Sequence, residues 1–292
     1  MALRYITRCD GGNGMPSSST LPRPEEWPST RVGRVTAGLA FVLVLAVLAI
    51  PVGFGFVAAG IPGGLRYSLV FSAMLFFVAA YGYVTQLAPR RRNPDRVIAL
   101  RNNNEPATEI RGSALIILLV FGTVSCLAVF FGMAAVDYFQ AGPDVPAKQI
   151  PAGLCAVAAL YFGSFPLLVL AGRIRPGHVV LTPNGIYQRG WTFSSQLSWE
   201  ALAGGKASAY RGAPYVLAIA YANAHWERRS HTPVWKIDKL PPKPMIAINC
   251  AAFAIDRNLL YHLVMFYLNN PSARAELGTE RSIERARSGD PR

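Results

Sequence analysis

Val35-Thr-Ala-Gly-Leu-Ala-Phe-Val-Leu-Val-Leu-Ala-Val-Leu-Ala-Ile-Pro-Val-Gly-Phe-Gly-Phe-Val-Ala-Ala-Gly60 contains neither an acid nor a base, and the next charged side chain is Arg66. Three further stretches share this property, between Arg66 and Arg90, between Arg111 and Asp137, and between Lys148 and Arg173. About 20 apolar residues rising 1.5 Å each cross roughly 30 Å of hydrocarbon. Each gap exceeds that length, whereas a buried helix of a soluble protein usually offers about 10–14 apolar residues. The spacing predicts four transmembrane helices, at about 36–60, 68–88, 113–136 and 151–172, inside a unit covering 35–172. Composition agrees. Only 15% of the 292 residues are charged and 52% are hydrophobic, against about 25% charged in a soluble domain.

Arg31 and Arg34 before the first run, and Val57-Ala58-Ala59 near its end, resemble parts of a signal peptide. The run is about twice the usual 7–15 residue apolar region, so it is read as an uncleaved anchor. Residues 1–34 are Gly, Ser, Pro and Arg without a hydrophobic period and are expected to be disordered, with Met15 as an alternative start.

Orientation follows from the flanks. Arg and Lys are plentiful in 1–34, in 89–112 and after 173, while 61–67 and 137–150 hold only Arg66 and Lys148. The positive-inside rule then places both termini in the cytoplasm of a plasma (inner) membrane protein. No Asp, Glu, Lys, Arg or His falls inside the four spans. Such groups usually mark ion paths and substrate sites. A small transporter or channel subunit acting as an oligomer is therefore the alternative reading, resting on Pro51 and Pro166 as possible helix breaks.

After Arg173 the texture changes. His178-Val-Val-Leu-Thr182 reads as a strand, Pro183-Asn184-Gly185 as a tight turn, and Ile186-Tyr-Gln-Arg189 as the returning strand. Strand-like runs recur at 191–199, 215–221 and 244–249. Asp256 then caps a helix whose Leu259, Leu260, Leu263, Val264, Phe266 and Tyr267 fall at helical spacing, ended by Asn269-Asn270-Pro271. The expected fold is a four-helix transmembrane domain followed by a cytosolic antiparallel β domain, 173–277, with one C-terminal helix and a charged tail, 278–292. Residues 173–292 are expected to fold alone.

This order of strands and one closing helix resembles a pleckstrin-homology-like barrel. The run Val179-Val-Leu-Thr-Pro-Asn-Gly-Ile-Tyr187 with Leu197-Ser-Trp199-Glu200 is similar to the opening of bacterial domains of that class. The closing run Asp256 to Leu277 resembles actinobacterial-type four-span membrane proteins that carry such a domain. The resemblance implies a binding scaffold and transfers no catalytic residue. Members that bind phosphoinositides use a basic loop between the first two strands, whereas Thr182-Pro-Asn-Gly185 is short and uncharged.

Chemical motifs are sparse. Gly204-Gly205-Lys206 is followed by Ala207, so no P-loop is present, and neither a GxSxG elbow nor an HExxH pair occurs. Cys9, Cys126, Cys155 and Cys250 form no CxxC pair. No cofactor, metal or enzymatic activity is expected. The stretch that stands out is 225–243, where Trp226, Arg228, Arg229, Trp235, Lys236, Lys239 and Lys243 combine aromatic and basic side chains. Trp favours the bilayer interface and each surface Lys or Arg gains about 1 kcal/mol from anionic lipid. With Arg90, Arg91 and Arg92 behind the second span, these residues are the candidate contacts for anionic head groups or a protein partner. No nucleic-acid motif accompanies them.

Overall fold

The computed structural model describes residues 21–28, 32–61, 63–88, 97–102, 105–141, 149–210, 212–238 and 241–289. Four long helices, α1 (Val32–Ala58), α2 (Gly63–Gly82), α3 (Ala114–Gln140) and α4 (Gln149–Leu170), are long and apolar enough to cross a membrane. A π-helical turn, Tyr83–Leu87, extends α2. Large apolar side chains point outward from them, with Phe41 64%, Leu160 75% and Leu170 77% exposed. So much contiguous apolar surface calls for a bilayer or a partner to cover it.

Each long helix packs on the next in sequence. A Cβ on Gly53 would come within 2.8 Å of the Ser68 Cβ, so glycine there permits the close approach of α1 and α2. Ser72 Oγ donates to the Ala46 carbonyl at 2.7 Å across the same seam. At the far end Arg66 pairs with Asp137, and the Tyr67 hydroxyl donates to the same carboxylate at 2.6 Å. The two charges that bounded the runs in sequence thus join α2 to α3.

The 89–112 connection is more than a loop. Its second half forms a hairpin, β1 (Val97–Asn102) and β2 (Glu105–Arg111). Seven strands follow α4: β3 (His178–Leu181), β4 (Gly185–Arg189), β5 (Phe193–Ser198), β6 (Leu202–Tyr210), β7 (Ala213–Ala220), β8 (Glu227–Ser230) and β9 (Met245–Asn249). They make two antiparallel sheets, β1-β2-β3-β4-β5-β8 and β6-β7-β9. The hairpin therefore belongs to the β module although two long helices separate it in the chain from β3. Ala107, Thr108 and Ile110 of β2, fully buried, and Val97 of β1, buried in the same core, reveal why it joins.

Alternation along the strands builds the core. Ile110, Val179, Leu181, Ile186 and Leu197 of one sheet meet Val216, Ala218, Ile246 and Ile248 of the other, and α5 (Arg257–Asn269) adds Leu260, Leu263, Val264 and Tyr267. Each large apolar side chain buried contributes about 1.5–3 kcal/mol. Asp256 caps α5, accepting from the Asn258 and Leu259 amides at 2.8 and 3.1 Å. The final charged segment is corrected by a second terminal helix, α6 (Glu280–Ser288), which buries Ser282, Ile283 and Ala286 and half-buries Arg285 against Glu276, while Glu280, Arg281, Glu284 and Arg287 are exposed. That narrow stripe was hidden by the surrounding charge.

The N-terminal segment is also partly ordered. α1 begins at Val32, Leu21 is buried, and Trp27 is buried in the module's core. The Trp27 indole donates to the Tyr215 carbonyl at 3.2 Å and meets the Tyr261 ring edge-on at 5.8 Å. Residues 1–20 lie outside the described residues.

Candidate functional site

Three attachments bring the module against the ends of the long helices. The Gly112 amide donates to the Gly177 carbonyl at 2.8 Å, and the Ser113 amide to the Ala252 carbonyl at 2.9 Å. Ile116 and Ile117 of α3, Phe165 of α4, Ile174 and Trp191 form a small apolar cluster between helices and module. Trp235 supplies the third attachment. Its indole donates to Ser164 Oγ at 2.9 Å, stacks on Tyr161 at 4.7 Å and meets Phe165 edge-on at 5.1 Å. Ser164 lies six residues before the end of α4, about 9 Å along its axis at 1.5 Å per residue.

The basic–aromatic stretch is therefore divided. Trp235 and Trp226 turn toward the protein, the latter donating from its indole to Ser195 Oγ at 2.6 Å. Arg228 lies over the Trp226 ring at 5.1 Å, on the opposite face of the strand from Arg229. Glu227–Ser230 is the edge strand β8. Lys236 and Lys243 are exposed. Arg90, Arg91, Arg92 and Lys239 lie outside the described residues.

Comparison with protein-family models, curated proteins and solved structures found no match.

The strand register adds residues that the sequence reading missed. Arg111 stands opposite His178, His178 opposite Arg189, Arg189 opposite Ser194, and Ser194 opposite Arg229. These five residues form one row across five strands, on the face turned away from the core. Arg111 is three residues before α3, so the row runs beside the helix ends. The next row out is Glu109, Val180, Tyr187, Gln196 and Glu227. Glu109 takes up Arg111 at 3.1 Å and stands 3.9 Å from His178.

The positive row marks its histidines. Burial holds His178 below its usual pKa, and Arg189 and Arg111 add to the effect while Glu109 opposes it. His231, whose ring lies 3.2 Å from the Arg189 guanidinium, is lowered by burial and then by Arg189 and Arg229. Both shifts favour the neutral imidazole. The period-2 alternation in Gly185–Arg189 was the only available sequence signal for Arg189; its neighbours across the sheet required the register.

A cavity of about 520 Å³ opens beside the row, lined by Trp191, Phe193, Tyr215, Leu217 and Met245. Asp238 faces it, raised above the ordinary carboxylate range by burial, and accepts from the Trp191 amide at 2.6 Å. Among the described residues no three His, Cys, Asp or Glu come together as a metal-ligand set.

Proposed function

We propose that this chain is an integral inner-membrane protein, with both termini cytoplasmic, whose four helices hold a pleckstrin-homology-like module against the inner leaflet as a non-enzymatic binding scaffold. The reading is supported above all by the attachment of the module at Gly112, Ser113 and Trp235. A module meant to search the cytosol would hang on a flexible linker. This one is fixed in height and orientation, so its membrane-proximal face meets whatever lies at the head-group level.

Spin labels placed at Ser198 and Leu170, both exposed, test the attachment in reconstituted full chain. A single narrow distance distribution is expected, broadening when Trp235→Ala removes the clasp on α4. A broad distribution in the unaltered chain would remove the scaffold reading. Ion flux above that of empty vesicles would favour the transporter alternative.

A further inference from the structure

We propose that Arg189, Ser194 and Arg229 form a clamp for one phosphate group of an anionic phospholipid in the inner leaflet. The inference rests on the scaffold reading, which puts this face at the head groups, and adds the ligand and the residues that hold it.

The three residues are directly opposite one another on β4, β5 and β8. Opposed residues of antiparallel strands lie about 4.5–5.5 Å apart, so two guanidinium stems flank one hydroxyl at roughly 10 Å separation. Guanidinium forks match phosphate oxygens in pairs, and the hydroxyl between the two stems can donate to a third. Among the described residues neither Arg189 nor Arg229 has a carboxylate partner, whereas Arg111 in the same row is taken up by Glu109. The Arg189 Nε–H is buried and lacks a hydrogen-bond partner.

Position selects the lipid as the source. Arg189 is two residues from Trp191, which packs on Ile116 and Ile117 at the start of α3. β8 leads on to Trp235, seated against α4, with Val234 and Ile237 exposed beside it. The head-group layer occupies about 5–7 Å on each side of the hydrocarbon, which is where these helices end. Charge selects a compact anion. Glu109 and Glu227 close both ends of the adjacent row, so a long polyanion climbing the face would meet carboxylates.

The test uses purified full chain in detergent and native mass spectrometry with phosphatidylglycerol, phosphatidylcholine and inorganic phosphate. Phosphatidylglycerol should be retained in preference to phosphatidylcholine, and millimolar inorganic phosphate should not displace it. The double variant Arg189→Gln with Arg229→Gln should lose retention about tenfold, or about 1.4 kcal/mol. As a second readout, His231 should titrate at higher pH when phosphatidylglycerol is bound, because the phosphate offsets Arg189 and Arg229. Ser194→Ala supplies a milder variant should the double one not fold, with a smaller loss expected. Equal retention of both lipids, unchanged retention in a folded variant, an unmoved His231 or displacement by free phosphate would each overturn the clamp. Should it fall while the Ser198–Leu170 distance stays narrow, the scaffold reading survives; a broad distance would sink that reading first.

Discussion

Glu276 receives two side chains at once. The Tyr267 hydroxyl donates to Oε1 at 2.9 Å, and Arg285 donates to Oε1 and Oε2 at 2.6 and 3.1 Å. The carboxylate thus ties α6 back onto α5. Arg285 chiefly, with Tyr267 adding, holds its pKa below the usual value against the opposing effect of burial. A folded-state pKa that is depressed gives stability above the unfolded value, near 4.5, and loses it as pH falls through the folded one. Glu276→Gln should therefore lower stability by about 1–2 kcal/mol at pH 7. The gap from the parent should narrow below pH 4.5, measured as unfolding midpoints of the solubilised chain. Gly278 is a second test at this scale. Its φ is +80°, and a Cβ there would lie 2.3 Å from the Ala107 nitrogen. Its own amide donates to Thr108 Oγ1 at 2.9 Å. Gly278→Ala should cost at least about 1 kcal/mol, from the left-handed backbone before the clash is counted. An unchanged midpoint would mean that α6 is not seated on β2.

At the scale of elements, the long helices were legible because charge is absent over whole spans, a property that needs no partner to be seen. The β3–β4 hairpin was legible for a similar reason, since Thr182-Pro-Asn-Gly185 turns the chain locally, with the Thr182 amide donating to the Gly185 carbonyl at 2.9 Å. The β1–β2 hairpin was not. Its Arg, Asn and Glu look like a solvated loop, and its reason for existing is β3, on the far side of α3 and α4. Arg189 and Ser194 escaped notice in the same way, because a row across a sheet is written in register, which no single strand carries. Arg229 could be singled out from its neighbours in sequence, but not its separation from Arg228 by the strand. The hairpin also changes what should fold. Residues 173–292 alone expose the β3 edge and leave Val179 and Leu181 without Ile110 beside them. An unpaired edge of this kind favours association. Joining 97–111 to 173–289 through a flexible linker should give a monomer with well-dispersed amide resonances, while 173–292 should elute as larger species. Equal behaviour of the two would show that the hairpin is dispensable.

At the scale of the whole molecule, two independent facts bear on sidedness. Four crossings by the four long apolar helices would return the chain to the side where it started, and Trp27 before α1 is packed on Tyr215 and Tyr261 of the module. The segment before the first helix and the module therefore share a side. Which side is an electrostatic question. Arg and Lys crowd every segment on the module side, and the opposite connections hold Arg66, paired with Asp137, and Lys148. Positive flanks stay cytoplasmic during insertion, which predicts the module inside. The check is cysteine labelling in intact cells with Cys9, Cys126, Cys155 and Cys250 replaced. Ile61→Cys, exposed in the turn between α1 and α2, should react with an impermeant maleimide from outside. Ser198→Cys, exposed on the module, should react only after permeabilisation. The reverse pattern would put the Arg189–Ser194–Arg229 row against the outer leaflet. It would also require the most strongly basic segments of the chain to have crossed against the membrane potential, at about 2.3 kcal/mol per charge for each 100 mV.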